Sequence, residues 1–189
     1  MDRRTSDPSR PLYQFEDVVI DPPLPQQPFL WLAGGSKTKT NLSPDPEVMA
    51  PTVLERICRH ADGWLARAAG SMESVIADWA QIQERLDEIG RPRNSVTFGH
   101  VNFMHIVPTD DEAAALRVQR PLIERVMGSH RSFETLRTSY LLGTPAQIRA
   151  RLKEMQDAVL EYAALSPLDY DLDQLDLWEH EIIRHFRTA

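Results

Sequence analysis

The chain has 189 residues, 42% of them hydrophobic and 26% charged, with a formal net charge of −7. That size and balance describe one soluble globular domain with its own core and exclude a disordered chain. Net acidity without a Lys/Arg cluster excludes a phosphate-backbone partner, so no nucleic acid is expected.

Residues 1–27 read as an irregular, proline-rich lead-in, because Pro22, Pro23, Pro25 and Pro28 forbid helix and favour extended backbone. Met1 to Arg10 has no apolar stretch of the secretory kind, and no run approaches the roughly 18 residues that span a bilayer. Residues 28–189 form the folded unit. Its first segment, Phe29-Leu30-Trp31-Leu32-Ala33, is continuously apolar and ends at Gly34-Gly35, the pattern of a strand buried on both faces. A polar loop, Ser36 to Pro46, precedes a helix expected over Pro51 to His60 and a short strand over Gly63 to Ala66. The single cysteine, Cys58, falls in that helix and reads as a small buried hydrophobe; a lone thiol makes no internal disulfide and fits a reducing cytoplasm.

Ser71 is placed to cap the next helix. Its stripe Val75, Trp79, Ile82, Leu86 and Ile89 keeps steps of three and four until Gly90 and Pro92 stop it. Val96 to Val107 is strand-like and nearly all apolar. A helix over Asp110 to Gln119 comes next, with Pro121 expected to break or kink it before Leu122–Met127. Thr144-Pro145-Ala146-Gln147 is a capping box with proline at the first helical position. It opens a helix with Ile148, Leu152, Met155 and Val159 on one face. Tyr162 to Leu165 is a fourth strand, and the last helix, Asp171 to Arg187, carries Leu175, Trp178, Ile182 and Phe186 on one side. Strand and helix therefore alternate four times, which implies parallel strands joined by helical crossovers, in a barrel or a doubly wound sheet.

Few residues point to chemistry by themselves. Gly34-Gly35-Ser36-Lys37 sits where a strand meets a loop, so its backbone N–H groups, a hydroxyl and a positive charge suit a ligand; a tight turn would explain the same glycines. It is neither a dinucleotide fingerprint nor a P-loop, since the further glycines are missing. Ala61-Asp62-Gly63-Trp64 reads as structural, with glycine re-aiming the chain at a helix C-terminus and Trp64 in the core or lining a barrel. His180 and His185 stand five apart, about 140° around an α-helix, and do not match a zinc-binding pair. His100 and His105 have odd spacing in a strand and point to opposite faces. Asp169, Asp171, Asp173 and Asp176 suggest a cation site, but carboxylates near a helix N-terminus account for them. No metal site is expected.

Taken in order, the segments resemble the luciferase-like monooxygenase superfamily. Tyr13-Gln14-Phe15-Glu16-Asp17-Val18 with Gln27-Pro28 is similar to the family's approach to its fifth barrel strand, and Phe29 to Ser36 to that strand itself. Arg56 to His60 with Ala61-Asp62-Gly63-Trp64-Leu65 resembles the next helix and the sixth strand. Gly143 to Ile148 resembles the start of the seventh helix. Leu165-Ser166-Pro167-Leu168 with Asp173-Gln174-Leu175 resembles the eighth strand and closing helix.

The resemblance implies a partial TIM (β/α)8 barrel of α/β class made of its four C-terminal parallel strand–helix units. It further implies FMN or a deazaflavin coenzyme at the strand C-terminal ends, and hydride transfer through the flavin to or from a small organic substrate, often with oxygen insertion. Carried over residue by residue, cofactor contacts fall on Gly34 and Gly35, with Ser36, Lys37 and Thr38 as neighbours. Two departures stand out: roughly Lys39 to Met49 lengthen the loop after the glycine pair into a possible lid, and Glu161-Tyr162 replaces the glycine expected before the eighth strand. The family's first four strands carry its catalytic side chains, so no catalytic residue is assigned. A four-stranded half exposes two edges and an inner face. The chain is therefore expected to pair as a homodimer, to meet a complementing N-terminal half-barrel chain, or to begin at an internal methionine of a longer enzyme.

Overall fold

A computed structural model describes residues 26–37, 48–128 and 130–187. The lead-in and most of the loop after the glycine pair, including Thr38, lie outside the described residues.

The α/β expectation holds. Strands β1 (Trp31–Ala33), β2 (Gly63–Ala66), β3 (Thr97–Ile106), β4 (Leu141–Gly143) and β5 (Tyr162–Pro167) form one sheet in which every pairing is parallel. Helices α1 (Pro51–His60), α2 (Met72–Glu88), α3 (Glu112–Met127), α4 (Phe133–Ser139) and α5 (Pro145–Asp157) connect them. The chain closes with α6 (Asp173–Leu177), a π-helical segment (Trp178–Ile183) and α7 (Arg184–Arg187) in one helical run. β3 is the hub: β2 pairs with Thr97–His100, β5 with Gly99–Met104, and β4 with Met104–Ile106. β1 and β5 do not pair with each other, so among the described residues the sheet stays open.

Local chemistry explains where the helices begin. Ser71 Oγ accepts the Ser74 N–H, and Thr144 and Gln147 complete both halves of the capping box. Arg91 donates to the carbonyls of Cys58 and Ala61 at 2.9 and 2.6 Å, satisfying groups left over where α1 ends. Cys58 is fully buried, its thiol pushed up by burial, as a core hydrophobe should be.

Three expectations are corrected and one gap is filled. α3 runs unbroken through Pro121, because one lost backbone bond on an exposed turn is outweighed by the buried anchors Ala115, Gln119 and Ile123. Residues 133–143, which the sequence left without an assigned element, form α4 and β4. Val159 lies past the end of α5 with φ 68° and is exposed, so the stripe ends at Met155. In the last helical run Gln174 is buried and Leu175 exposed; Gln174 closes the end of β3 by bonding both the N–H and the C=O of Ile106.

Alternation along the strands divides the sheet into two faces. Trp64, Phe98, Met104 and Ile106 point outward under the helices and are almost wholly buried. There Trp64, Trp79 and Phe98 stack at centroid distances of 4.9–5.9 Å, the offset geometry aromatic rings favour. Met104, Ile106, Leu141, Ile148, Trp178 and Ile182 extend that core toward the C-terminal helices. Trp31, Gly63, Leu65, Thr97, Gly99, Val101 and Phe103 share the opposite, inner face. The Trp31 ring lies flat across β2 and β3, so a Cβ at Gly63 would meet it at 2.5 Å and one at Gly99 at 2.7 Å. Gly63 is thus there for the tryptophan above it, rather than to end α1, whose last turn is followed by extended Ala61. No helix among the described residues is long and apolar enough to cross a membrane.

Candidate functional site at the strand C-terminal rim

In a parallel sheet every strand delivers its C-terminal end to the same rim, so the residues after β1, β2, β3 and β5 meet there. Gly34 and Gly35 leave β1 with φ of 150° and 153°, a region L side chains rarely adopt. Packing enforces this, since a Cβ at Gly34 would approach Val53 Cγ1 to 2.7 Å and one at Gly35 would approach Asp78 Oδ2 to 2.7 Å. Trp64 Nε1 donates to the Gly34 carbonyl at 3.0 Å and pins the turn from below.

Asp78, on α2, fixes the chain just past the glycine pair. Its Oδ2 accepts the Ser36 N–H at 2.7 Å, and its Oδ1 accepts the Ser36 hydroxyl. A carboxylate taking two donors holds the turn strongly. Both Ser36 donors are thereby committed within the protein, so Ser36 shapes the loop rather than offering a free hydroxyl. Beside this pair stands Arg67, one residue past β2 and half-buried; its Nε would lie 3.9 Å from a Cβ at Gly35. Burial holds the Arg67 guanidinium below its ordinary pKa, and Asp78 opposes the shift. No hydrogen bond or ion pair links Arg67 to the described residues. Lys37 comes next, on the exposed side of the loop.

The sequence singled out Gly34, Gly35, Ser36 and Lys37, and they do lie at the rim. It missed Asp78 and Arg67. Asp78 carried a signal: it sits three residues after Val75 and four before Ile82, inside the buried stripe of α2, where a carboxylate needs a partner. Arg67 carried none.

The two strand histidines point apart, as their spacing required. His100 faces outward and is buried, its Nε2 2.9 Å from Asn102 Nδ2. Burial pushes its pKa down to about 4, with the Ala66 backbone opposing and Arg151 adding to the shift. His105 faces the opposite way, toward a hollow beside α3. His180 Nδ1 lies 2.8 Å from the Asp176 carbonyl. It sits in the π-helical segment rather than the α-helix assumed from sequence, and no group of metal-holding side chains occurs among the described residues. Arg131 is 9% exposed, donates through Nη2 to Tyr140 Oη at 2.8 Å, and leaves Nε and Nη1 without acceptors.

No protein-family model and no curated protein matches the sequence. Solved structures do match in fold. The coenzyme F420-dependent tetrahydromethanopterin reductase of Methanopyrus kandleri superposes with a TM-score of 0.55 at 14% identity, covering 82% of this chain and 50% of its own. A riboflavin lyase with modified FMN gives 0.58 at 11% identity, over 85% and 43%. EDTA monooxygenase from a Chelativorans species gives 0.56 at 16%, over 85% and 44%. The chain thus spans half or less of the length of each. The likeness is one of fold: parallel strands alternating with helices, as in a partial TIM-type α/β barrel, matching part of each of these structures.

Proposed function

We propose that this chain is the C-terminal half of a flavin- or deazaflavin-dependent oxidoreductase of the luciferase-like type, with monooxygenation as the oxygen-using form of its chemistry. Two of the fold neighbours are described with coenzyme F420 or FMN. The observation that carries the reading here is Arg67: a half-buried guanidinium with no hydrogen-bonding partner among the described residues, beside the Gly34-Gly35 turn. Leaving such a group unpaired is unfavourable, and an anionic group of a flavin mononucleotide or deazaflavin coenzyme would satisfy it. The residues present fit that group. Gly34 and Gly35 allow close backbone approach, Lys37 and Arg67 supply charge, and Thr38 is the next residue of the same loop. Asp78 and Ser36 hold the turn in shape. The cofactor, when bound, supplies hydride transfer to or from a small organic substrate; the protein supplies its seat.

The open inner face favours a second reading, a non-catalytic flavin-binding or interaction subunit. In either case the face is closed by another half, from a second copy of this chain or a complementing N-terminal half-barrel. Cytoplasm is the proposed location.

Flavin titration tests the proposal. FMN or F420 should bind saturably, and Arg67→Met should weaken binding by about tenfold, the scale of one charge-assisted hydrogen bond. Turnover with bound flavin separates the enzyme from the binding subunit. Absence of binding to either cofactor, or binding indifferent to Arg67→Met, overturns the seat described here.

A further inference from the structure

We propose that the free flank of α1 and the free flank of the last helical run are complementary, and that a second copy of this chain docks through them to complete the barrel. The inference rests on the half-barrel reading given above and not on the flavin.

The outer helices stand in a row. α1 packs on α2 through Ile57, Cys58 and Ile82, with Arg85 of α2 on Glu55 of α1 at 2.9 Å. α5 joins the same core through Met155. It meets the last helical run through Ile148, Leu152, Trp178 and Ile182, with Arg149 on Glu181 at 3.0 Å. The row therefore ends on α1 at one side and on the last helical run at the other. In a closed (β/α)8 barrel the outer helices form a ring, so the last lies beside the first. β1, β2, β3 and β5 make half of such a ring, while β4 adds only three residues at the tip of β3. Two copies related by a two-fold axis along the barrel supply eight strands, all parallel. Each end of one helix row then meets the opposite end of the other.

The two ends match. On α1, Thr52, Arg56 and His60 recur every four residues, lie away from Glu55 and Cys58 on the α2 side, and are exposed. With Pro51 they line a groove of about 540 Å³. Arg56 forms no ion pair among the described residues. On the last helical run, Leu175, Glu179 and Ile183 recur every four residues, on the flank away from Glu181 and α5. Leu175 is 50% exposed and Ile183 39% exposed. Glu179 holds Arg184 at 3.3 Å, a solvated pair of little strength. Both helices run back from the same rim, and Thr52 and Leu175 each lie in a first turn, so the stripes are level. Leu175 of one copy meets Pro51 and Thr52 of the other, Glu179 meets Arg56, and Ile183 meets His60. A charge-assisted hydrogen bond thus sits between two apolar contacts. The two-fold axis makes this contact twice.

Sedimentation equilibrium on the full chain, without cofactor, tests the contact. The wild-type chain should pair. Arg56→Glu and Glu179→Arg each place like charges in both contacts and should raise the dissociation constant about tenfold. In a mixture of these two variants, each mixed dimer holds one native and one reversed ion pair and should form as readily as the wild-type dimer. Should either reversal fail to fold, Arg56→Gln and Glu179→Gln should weaken pairing several-fold through loss of charge alone, and unchanged pairing in both would count against the contact. A two-chain mass indifferent to both reversals, or weakened pairing that mixing does not rescue, overturns this contact and leaves the half-barrel reading standing. A single-chain mass at micromolar concentration overturns the two together.

Discussion

The two faces of this sheet differ in what covers them, although the same strands build both. On the outer side Trp64 and Phe98 are fully buried beneath α1 and α2. On the inner side, around the edge strands β1 and β5, Phe29 is 54% exposed and Tyr162 63% exposed, with the Trp31 ring between them. The outer face is a finished core; the inner face is packed at its C-terminal end, where Phe103 joins the cluster of Ile123, Leu136, Tyr140 and Leu142, and is an open wall around β1 and β5. In a closed (β/α)8 barrel the inner side chains are a packed core as well. This chain therefore carries its own outer packing and depends on something else to cover the inner stretch around β1 and β5.

The largest expected effect breaks the finished side. Trp64→Ala removes the centre of the aromatic stack and the donor to Gly34, and should lower stability by about 3–5 kcal/mol in urea unfolding. Acid should also act through the outer face. His100 titrates near 4 when folded and near its ordinary 6.5 when unfolded, so the unfolded chain binds its proton first. Stability should then fall as pH drops from about 6.5 to about 4, by about 3 kcal/mol in all, and His100→Asn should flatten that slope. Arg131→Met should run the other way. Its buried charge has no carboxylate partner among the described residues, so replacing it with an apolar side chain should leave thermal stability unchanged or raise it by about 1 kcal/mol or more. The inner face gives the smallest change: Tyr162→Ser should stay within about 0.5 kcal/mol in folding while weakening association.

The same contrast governs what the sequence disclosed. α1, β2, α2 and α5 were legible nearly to the residue, because caps, stops and periodic stripes are local and lie on the finished side. Ser71, Thr144 and Gln147 announce their helices without help from the rest of the chain. α4 and β4 were not legible: seven and three residues are too short for a periodic signal, and they exist because they dock on the end of β3. At the site, Gly34 and Gly35 were legible as unusual backbone. Their partner was not, because Asp78 reaches Ser36 across 42 residues, a pairing only the fold creates. The purpose of Gly63 and Gly99 was hidden for the same reason, since Trp31 covers them from another strand.

Light scattering on the purified chain tests the central claim most directly. An uncovered inner wall should drive pairing, giving a mass of about 43 kDa, twice the 21.6 kDa of one chain. A monodisperse particle of 21.6 kDa at micromolar concentration would contradict it, for the wall would then need no second half.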